Sequence, residues 1–268
     1  MFFAKKDYTF DDLVDIMKML RSENGCPWDR EQDHQSIKYA LLEEAYEAME
    51  SLDKKSPDAF ANELGDVLLQ VVFHSQIASE NGTFSVQDVL NHICHKLVSR
   101  HTHIFGDDST ANGKEALDLW ERNKKAEKGL VTQTEVMRDV CSYLPALIRA
   151  EKVQKKAAKV GFDWDDISGA QEKLREEIAE LEEAAREVDF AHAEEELGDL
   201  LFSCVNVARF LKVNPEEALK KATDKFICRF EQLENEVISC GKNLADMSLA
   251  EMDAVWDKIK SNKSDSKQ

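Results

Sequence analysis

Glu176-Glu177-Ile178-Ala179-Glu180, followed one short spacer later by Glu196-Leu197-Gly198-Asp199, decides how this chain is read. The same arrangement occurs earlier, as Glu43-Glu44-Ala45-Tyr46-Glu47 and then Glu63-Leu64-Gly65-Asp66. One shift of 133 residues carries Glu43 onto Glu176 and also Glu63 onto Glu196. Two blocks that keep an identical spacer mark an internal repeat at the scale of a domain. Each second block runs on into apolar residues, Val67 to Phe73 in one half and Leu200 to Val205 in the other. Looser echoes agree: Trp28-Asp29 with Trp164-Asp165, Lys96 and Arg100 with Lys225 and Arg229, Trp120 with Trp256. The chain reads as two tandem copies of one unit, 1–130 and 131–268, joined near 128–140. The polar tail 261–268 is expected to be disordered.

Composition sets the fold class. Among 268 residues there are 10 Gly and 4 Pro, while 33% are charged and 43% hydrophobic. That is too few turn formers for a sheet protein and enough apolar residues for a core. Helix starts are dense. Ser56-Pro57 and Asn214-Pro215 each place a cap before a proline, and Ser248 to Glu251 has capping-box spacing. Asn81-Gly82 and Gly161 stand where helices stop. The pattern predicts helices near 9–22, 34–54, 57–80, 86–102, 114–127, 145–160, 169–187, 190–212, 215–239 and 249–260, hence an all-α protein. The net charge of −18 argues against nucleic acid or an anionic membrane as partner. No window of 18 uninterrupted apolar residues offers a spanning helix. The start, Met1 to Asp7, lacks the apolar stretch of a signal peptide. Six cysteines without a C-x-x-C pair read as reduced thiols of a cytoplasmic protein.

The acidic blocks acquire chemistry when drawn on helices. Glu177 and Glu180 share one helix face, and Glu196 and Asp199 share one on the next helix. Both cross pairs, Glu177 with Asp199 and Glu180 with Glu196, are centred on Val188. An antiparallel hairpin turning at Val188 sets each pair at matching heights. In the first half Glu44, Glu47, Glu63 and Asp66 obey the same rule about Lys55. Glu176, Glu182, Glu183, Glu194 and Glu195 are read as a solvated face. Asp66 and Asp199 sit in runs apolar on nearly every side and are expected to be buried. A buried carboxylate without a basic neighbour is costly unless paired or metal-bound, and all-oxygen ligation suits Mg²⁺ or Mn²⁺. A di-iron site needs Glu-x-x-His pairs, and no histidine enters this pattern.

Basic residues fall where a phosphate would need them. Lys225 and Arg229 are one turn apart, and Lys173 precedes Glu177 by one turn. Alone they read as salt-bridge partners; beside a metal cluster they are candidates for phosphate oxygens. Trp256 reads as core or as a platform for a flat base. His101 and His103 follow a helix end, where capping or packing suits them better than metal binding. No P-loop, G-x-G-x-x-G or G-x-S-x-G motif is present, which leaves nucleophilic Ser or Cys catalysis without an anchor.

The duplicated E-E-x-x-E, spacer, E-x-x-D pattern resembles the MazG family of nucleoside triphosphate pyrophosphohydrolases, within the all-α NTP pyrophosphatases. Further matching runs are Asn24 to Asp29, Arg100 to Phe105, Leu144 to Leu147 and Val160 to Trp164. The resemblance covers nearly the whole chain. It implies a homodimer of helical bundles that cleaves NTPs and dNTPs between the α and β phosphates, giving NMP and pyrophosphate in a nucleotide house-cleaning role. It implies Mg²⁺, with Mn²⁺ as substitute, on Glu177, Glu180, Glu196 and Asp199 of a catalytic second repeat, and the nucleotide, such as ATP, near Lys173, Lys225, Arg229 and Trp256. Glu44, Glu47, Glu63 and Asp66 match as a second metal set. Ala40 stands in the first repeat where Lys173 stands in the second, which favours the second as the working site. His192 departs from the lysine of the family pattern. Two alternatives stay open: a hydrolase of dUTP, a modified nucleotide or an alarmone, and a non-catalytic helical scaffold.

Overall fold

A computed structural model describes residues 5–262 of the chain, and among these every regular element is helical. The residues divide into two compact units, Met1–Lys124 and Lys125–Gln268.

In the first unit, α1 (Phe10–Leu20) opens on a capping box between Thr9 and Asp12. A single turn, α2 (Pro27–Glu31), precedes the long hairpin of α3 (Ala40–Asp53) and α4 (Pro57–Glu80). Then come α5 (Val86–Arg100), the one-turn α6 (Thr102–Phe105) and α7 (Gly113–Glu127), within which the unit boundary falls. Met17, Ile37, Val72, Phe73 and Ile77 form the buried core where α1 crosses α4, joined by Phe10, Leu13, Val14, Leu20 and Leu69. Arg21 ties this end together, pairing with Glu80 at 2.8 Å and donating to the Gln32 carbonyl at 3.1 Å. His101 caps α5, its ring nitrogen Nδ1 lying 2.7 Å from the Leu97 carbonyl.

In the second unit, α8 (Gln133–Arg138) and α9 (Ala146–Ala158) lead into a hairpin of α10 (Ile167–Glu187) and α11 (Phe190–Phe210). A final pair follows, α12 (Pro215–Ser239) and, past a 3₁₀ turn at Leu244–Asp246, α13 (Leu249–Asn262). Leu233, Val237 and Ile259 make a small core between α12 and α13, with Leu244, Met247, Met252, Val255 and Trp256 packed on it. Ala170 and Ala184, both fully buried, let α10 lie close to its neighbours. Arg209 holds the loop before α10 by donating to Asp163 at 2.8 Å.

The two hairpin turns fall at the computed centres of symmetry. Val188 and Lys55 both have left-handed backbones, with φ of 59° and 54°. For a β-branched residue such as Val188 that geometry costs about 1–2 kcal/mol. It is tolerated because Asp189 caps α11 at once, accepting from the amides of Ala191 and His192 at 3.1 and 3.2 Å.

Several expected boundaries differ. The helix expected from residue 34 begins at Ala40, because Asp33 Oδ1 takes the amides of Gln35 and Ser36 into a turn. Three short helices at Pro27–Glu31, Thr102–Phe105 and Gln133–Arg138 were not anticipated, the last opening on a capping box of Thr132 and Glu135. The expected disordered tail is shorter at its start, since Ser261 and Asn262 continue α13; residues 263–268, like Met1–Ala4, lie outside the described residues.

One pair in the first unit ties stability to pH. His34 and His74 are half-buried, stacked with ring centroids 5.2 Å apart, and their Nδ1 atoms meet at 2.9 Å. Only one of the two nitrogens can carry the proton of that bond. Burial, and then the charge of His34, hold His74 below the ordinary histidine value. The unfolded chain therefore takes up the proton first as pH falls, so the native state loses stability from about pH 6.5 downward. Denaturant titrations at pH 7.5 and 5 should show a larger loss on acidification for wild type than for His74→Gln.

Candidate metal and nucleotide site

The hairpin of the second unit brings carboxylates of two helices to one point. One oxygen each of Glu177, Glu196 and Asp199 lies within 4.8 Å of the others. Glu44, Glu63 and Asp66 make the matching group in the first unit. Glu180 and Glu47 stand outside these groups of three. Glu180 remains close enough to sense them: burial, and then Glu177 and Glu196, push its carboxyl above the usual carboxylate range, against the pull of Lys173. In the first unit burial, followed by Asp66 and the neighbouring glutamates, does the same to Glu44.

The expected burial of Asp66 and Asp199 does not hold, for Asp66 is half-buried and Asp199 exposed. The apolar neighbours that suggested a core are themselves uncovered: Leu197, Leu201 and Phe202 are 47%, 49% and 43% exposed. The buried member is instead Glu177, at 3% exposure, whose Oε2 is buried with no hydrogen-bond partner. A carboxylate oxygen withdrawn from water and left unpaired is costly, so an oxygen-seeking cation fits the position. Glu176, Glu182, Glu183, Glu194 and Glu195 are exposed, as expected.

Two side chains reach into the second cluster from one turn away. Lys173 Nζ donates to Glu176 and Glu177, each at 2.7 Å, and these bonds hold its ammonium well above the ordinary lysine value. His192 Nε2 lies 3.0 Å from Glu196 Oε1. A shift of 133 residues turns both into alanine in the first unit, Ala40 and Ala59.

The remaining predicted binding residues form a separate group. Lys225 and Arg229 lie on α12, and among the described residues no ion pair joins either to the four carboxylates. Lys225 is exposed, whereas the Nε–H of Arg229 is buried and lacks an acceptor. Trp256 packs on Phe226 at 5.3 Å between ring centroids, and Phe226 stacks on Phe230 at 6.2 Å. A groove of about 420 Å³ between α9 and α11, lined by Leu147, Val153, Leu201 and Phe202 among others, was not read from the sequence. Its one legible sign is Gly198 inside a helix, where an added Cβ would meet nothing within 4 Å.

The description "MazG nucleotide pyrophosphohydrolase domain" fits residues 32–105 and again 168–233, so each copy spans one carboxylate cluster. The chain belongs to the MazG family. It is 46% identical over 251 residues to the nucleoside triphosphate pyrophosphohydrolase/pyrophosphatase MazG of Thermotoga maritima, covering 94% of this chain and 95% of that one. It is 44% identical over 253 residues to the nucleoside triphosphate pyrophosphohydrolase of Escherichia coli K12, covering 93% and 96%. It is also 45% identical over 254 residues to the uncharacterized protein YabN of Bacillus subtilis, where the match takes up 52% of that longer protein. Family membership accounts for the duplication, since both copies of the domain lie in one chain.

Proposed function

We propose that this chain hydrolyses nucleoside triphosphates, ribo- and deoxyribonucleotides alike, between the α and β phosphates, releasing NMP and pyrophosphate. The observation that carries the reading is the convergence of Glu177, Glu196 and Asp199 around a buried, unpartnered glutamate oxygen in a MazG chain. The printed names of the Thermotoga and E. coli relatives support the reaction class.

Glu177, Glu196 and Asp199 would hold Mg²⁺, or Mn²⁺ in its place, with Glu180 at the edge of the site. Such an ion supplies Lewis acidity toward phosphate oxygens and lowers the pKa of bound water. Glu180, its carboxyl pushed up by burial and then by Glu177 and Glu196, would exchange a proton with water. Lys173 would pass from Glu176 to a phosphate oxygen, and Lys225 and Arg229 would offset charge on the departing pyrophosphate. The second repeat is the catalytic one in this reading, because Lys173 and His192 have only alanines as counterparts in the first. Glu44, Glu47, Glu63 and Asp66 would form the weaker metal set.

A homodimer belongs to the same proposal. It is supported by the apolar side chains that the hairpin helices leave uncovered, Leu64 and Leu68 in the first unit and Leu197, Leu201 and Phe202 in the second. A cytoplasmic setting is supported by six free cysteines. No helix among the described residues is long and apolar enough to cross a membrane.

The test is release of pyrophosphate against orthophosphate from a panel of NTPs and dNTPs, with Mg²⁺ and with EDTA. Metal-dependent pyrophosphate and NMP is the expected result. Orthophosphate with NDP would assign the cleavage to the wrong bond. Silence across the panel would move the reading to a modified nucleotide or to a scaffold.

A further inference from the structure

Three consecutive glutamates open the acidic stretch of α11, Glu194, Glu195 and Glu196, and they are treated differently. Glu194 and Glu195 are exposed, and no ion pair holds either of them among the described residues. Glu196, with a side chain 13% exposed, has its Oε1 3.0 Å from His192 Nε2. The histidine is itself anchored, since its backbone amide donates to the capping Asp189 at 3.2 Å. The turn at Val188 thus fixes a cap, the cap fixes the first turn of α11, and that turn presents an imidazole to the one glutamate that joins the cluster. The first unit shows the contrast. Ala59 replaces His192 and leaves Glu63 without this donor, while Asn62 Nδ2 donates to Asp66 at 3.3 Å instead.

We propose that His192 is a positioning residue for the divalent cation. By occupying Oε1 of Glu196 it fixes the rotamer that aims the carboxylate at Glu177 and Asp199. A directional donor on a ligating carboxylate typically changes metal affinity about 10–100-fold. In this proposal the ring acts without charge, as a neutral imidazole with its proton on Nε2. Any uncharged N–H donor of similar reach should therefore serve. Glutamine is such a donor: in the first unit Gln76 Nε2 reaches Glu80 across the same i to i+4 spacing at 2.8 Å. The second-unit cluster is accordingly the better organised of the two, with Lys173 on one helix and His192 on the other.

The inference rests on the metal reading of the cluster, and its test separates the two. Mn²⁺ binding to the full chain without nucleotide would be followed by loss of the free-ion EPR signal. Wild type, Glu196→Gln, His192→Ala and His192→Gln would be compared, each with a melting curve to confirm folding. The expected result is a tightest site lost in Glu196→Gln, weakened about 10–100-fold in His192→Ala and restored to within about threefold in His192→Gln. Unchanged or tighter binding in His192→Ala would overturn the inference while leaving the metal site standing. So would a His192→Gln protein as weak as the alanine variant. Wild-type binding indifferent to Glu196→Gln would overturn the metal reading, and the role of His192 with it.

Discussion

Glu177→Gln should lower pyrophosphate release by about 10³-fold, in the range seen when one preorganised electrostatic group is removed from a water-excluded site. The substitution keeps the size and shape of the side chain, so packing around α10 is preserved. What changes is charge and hydrogen-bonding sense: an anionic oxygen becomes an amide that also carries N–H donors. At 3% exposure the glutamate cannot recover the missing function from water. Folding should not suffer. The amide gives up the ion pair with Lys173, whose ammonium stays partly in water, and in exchange relieves the repulsion from Glu196 and Asp199 that no cation offsets. The expected pattern is an inactive protein that melts at or above the wild-type temperature in EDTA and gains less than wild type on addition of Mg²⁺. Calorimetry with and without the metal, beside a pyrophosphate assay, checks both halves. Glu44→Gln in the first repeat should cost far less turnover. Near wild-type turnover by Glu177→Gln would remove this residue from the site.

The architecture was legible because repetition and periodicity act on many residues at once. The shift of 133 residues identified the duplication, and the symmetry of the acidic positions located both turns at residues that adopt left-handed backbones, Lys55 and Val188. Capping chemistry is local, so Ser56, Asn214 and Ser248 could be recognised one by one. Burial is not local. Asp199 looked enclosed because its neighbours in the chain are apolar, yet a helix of a small unit covers only part of its circumference. Leu197, Leu201 and Phe202 remain open. Glu177 was judged from the same list as its neighbours, and nothing in the sequence marked it as the one drawn inside. That depends on where the α11 face and Lys173 lie, which is a tertiary fact. The role of His192 was half visible. Its departure from the family pattern stood in the sequence, but its bond to Glu196 required the first turn of α11.

Arg229→Ala should lower kcat/KM by about 10²-fold and leave the fold intact. The argument begins with an anomaly. The Nε–H of Arg229 is buried without an acceptor, although arginine has a long side chain free to seek one. An unmet buried donor costs about 1–3 kcal/mol, so a protein that keeps it gains something when a ligand arrives. A guanidinium offers a planar fork that matches two phosphate oxygens at once, and each bond to a charged group contributes about 1.5–3 kcal/mol. The setting fits: Lys225 is one turn away and exposed, and Phe226 and Phe230 flank the pair with rings 6.2 Å apart. If Arg229 meets charge that grows on the leaving pyrophosphate, the deficit falls mainly on kcat. Arg229→Lys should then stay within about threefold of the alanine variant, because an ammonium on a flexible stem cannot reproduce the fork. Trp256 supplies the internal comparison. Its ring is already engaged with Phe226 in the α12–α13 core, so Trp256→Phe should weaken base affinity through KM with less effect on turnover. A steady-state comparison of the three variants on one NTP separates these roles. Wild-type kinetics in Arg229→Ala would return the residue to the helix surface as an unremarkable charge. A kcat loss that lysine repairs would leave its charge in the reaction and remove the fork.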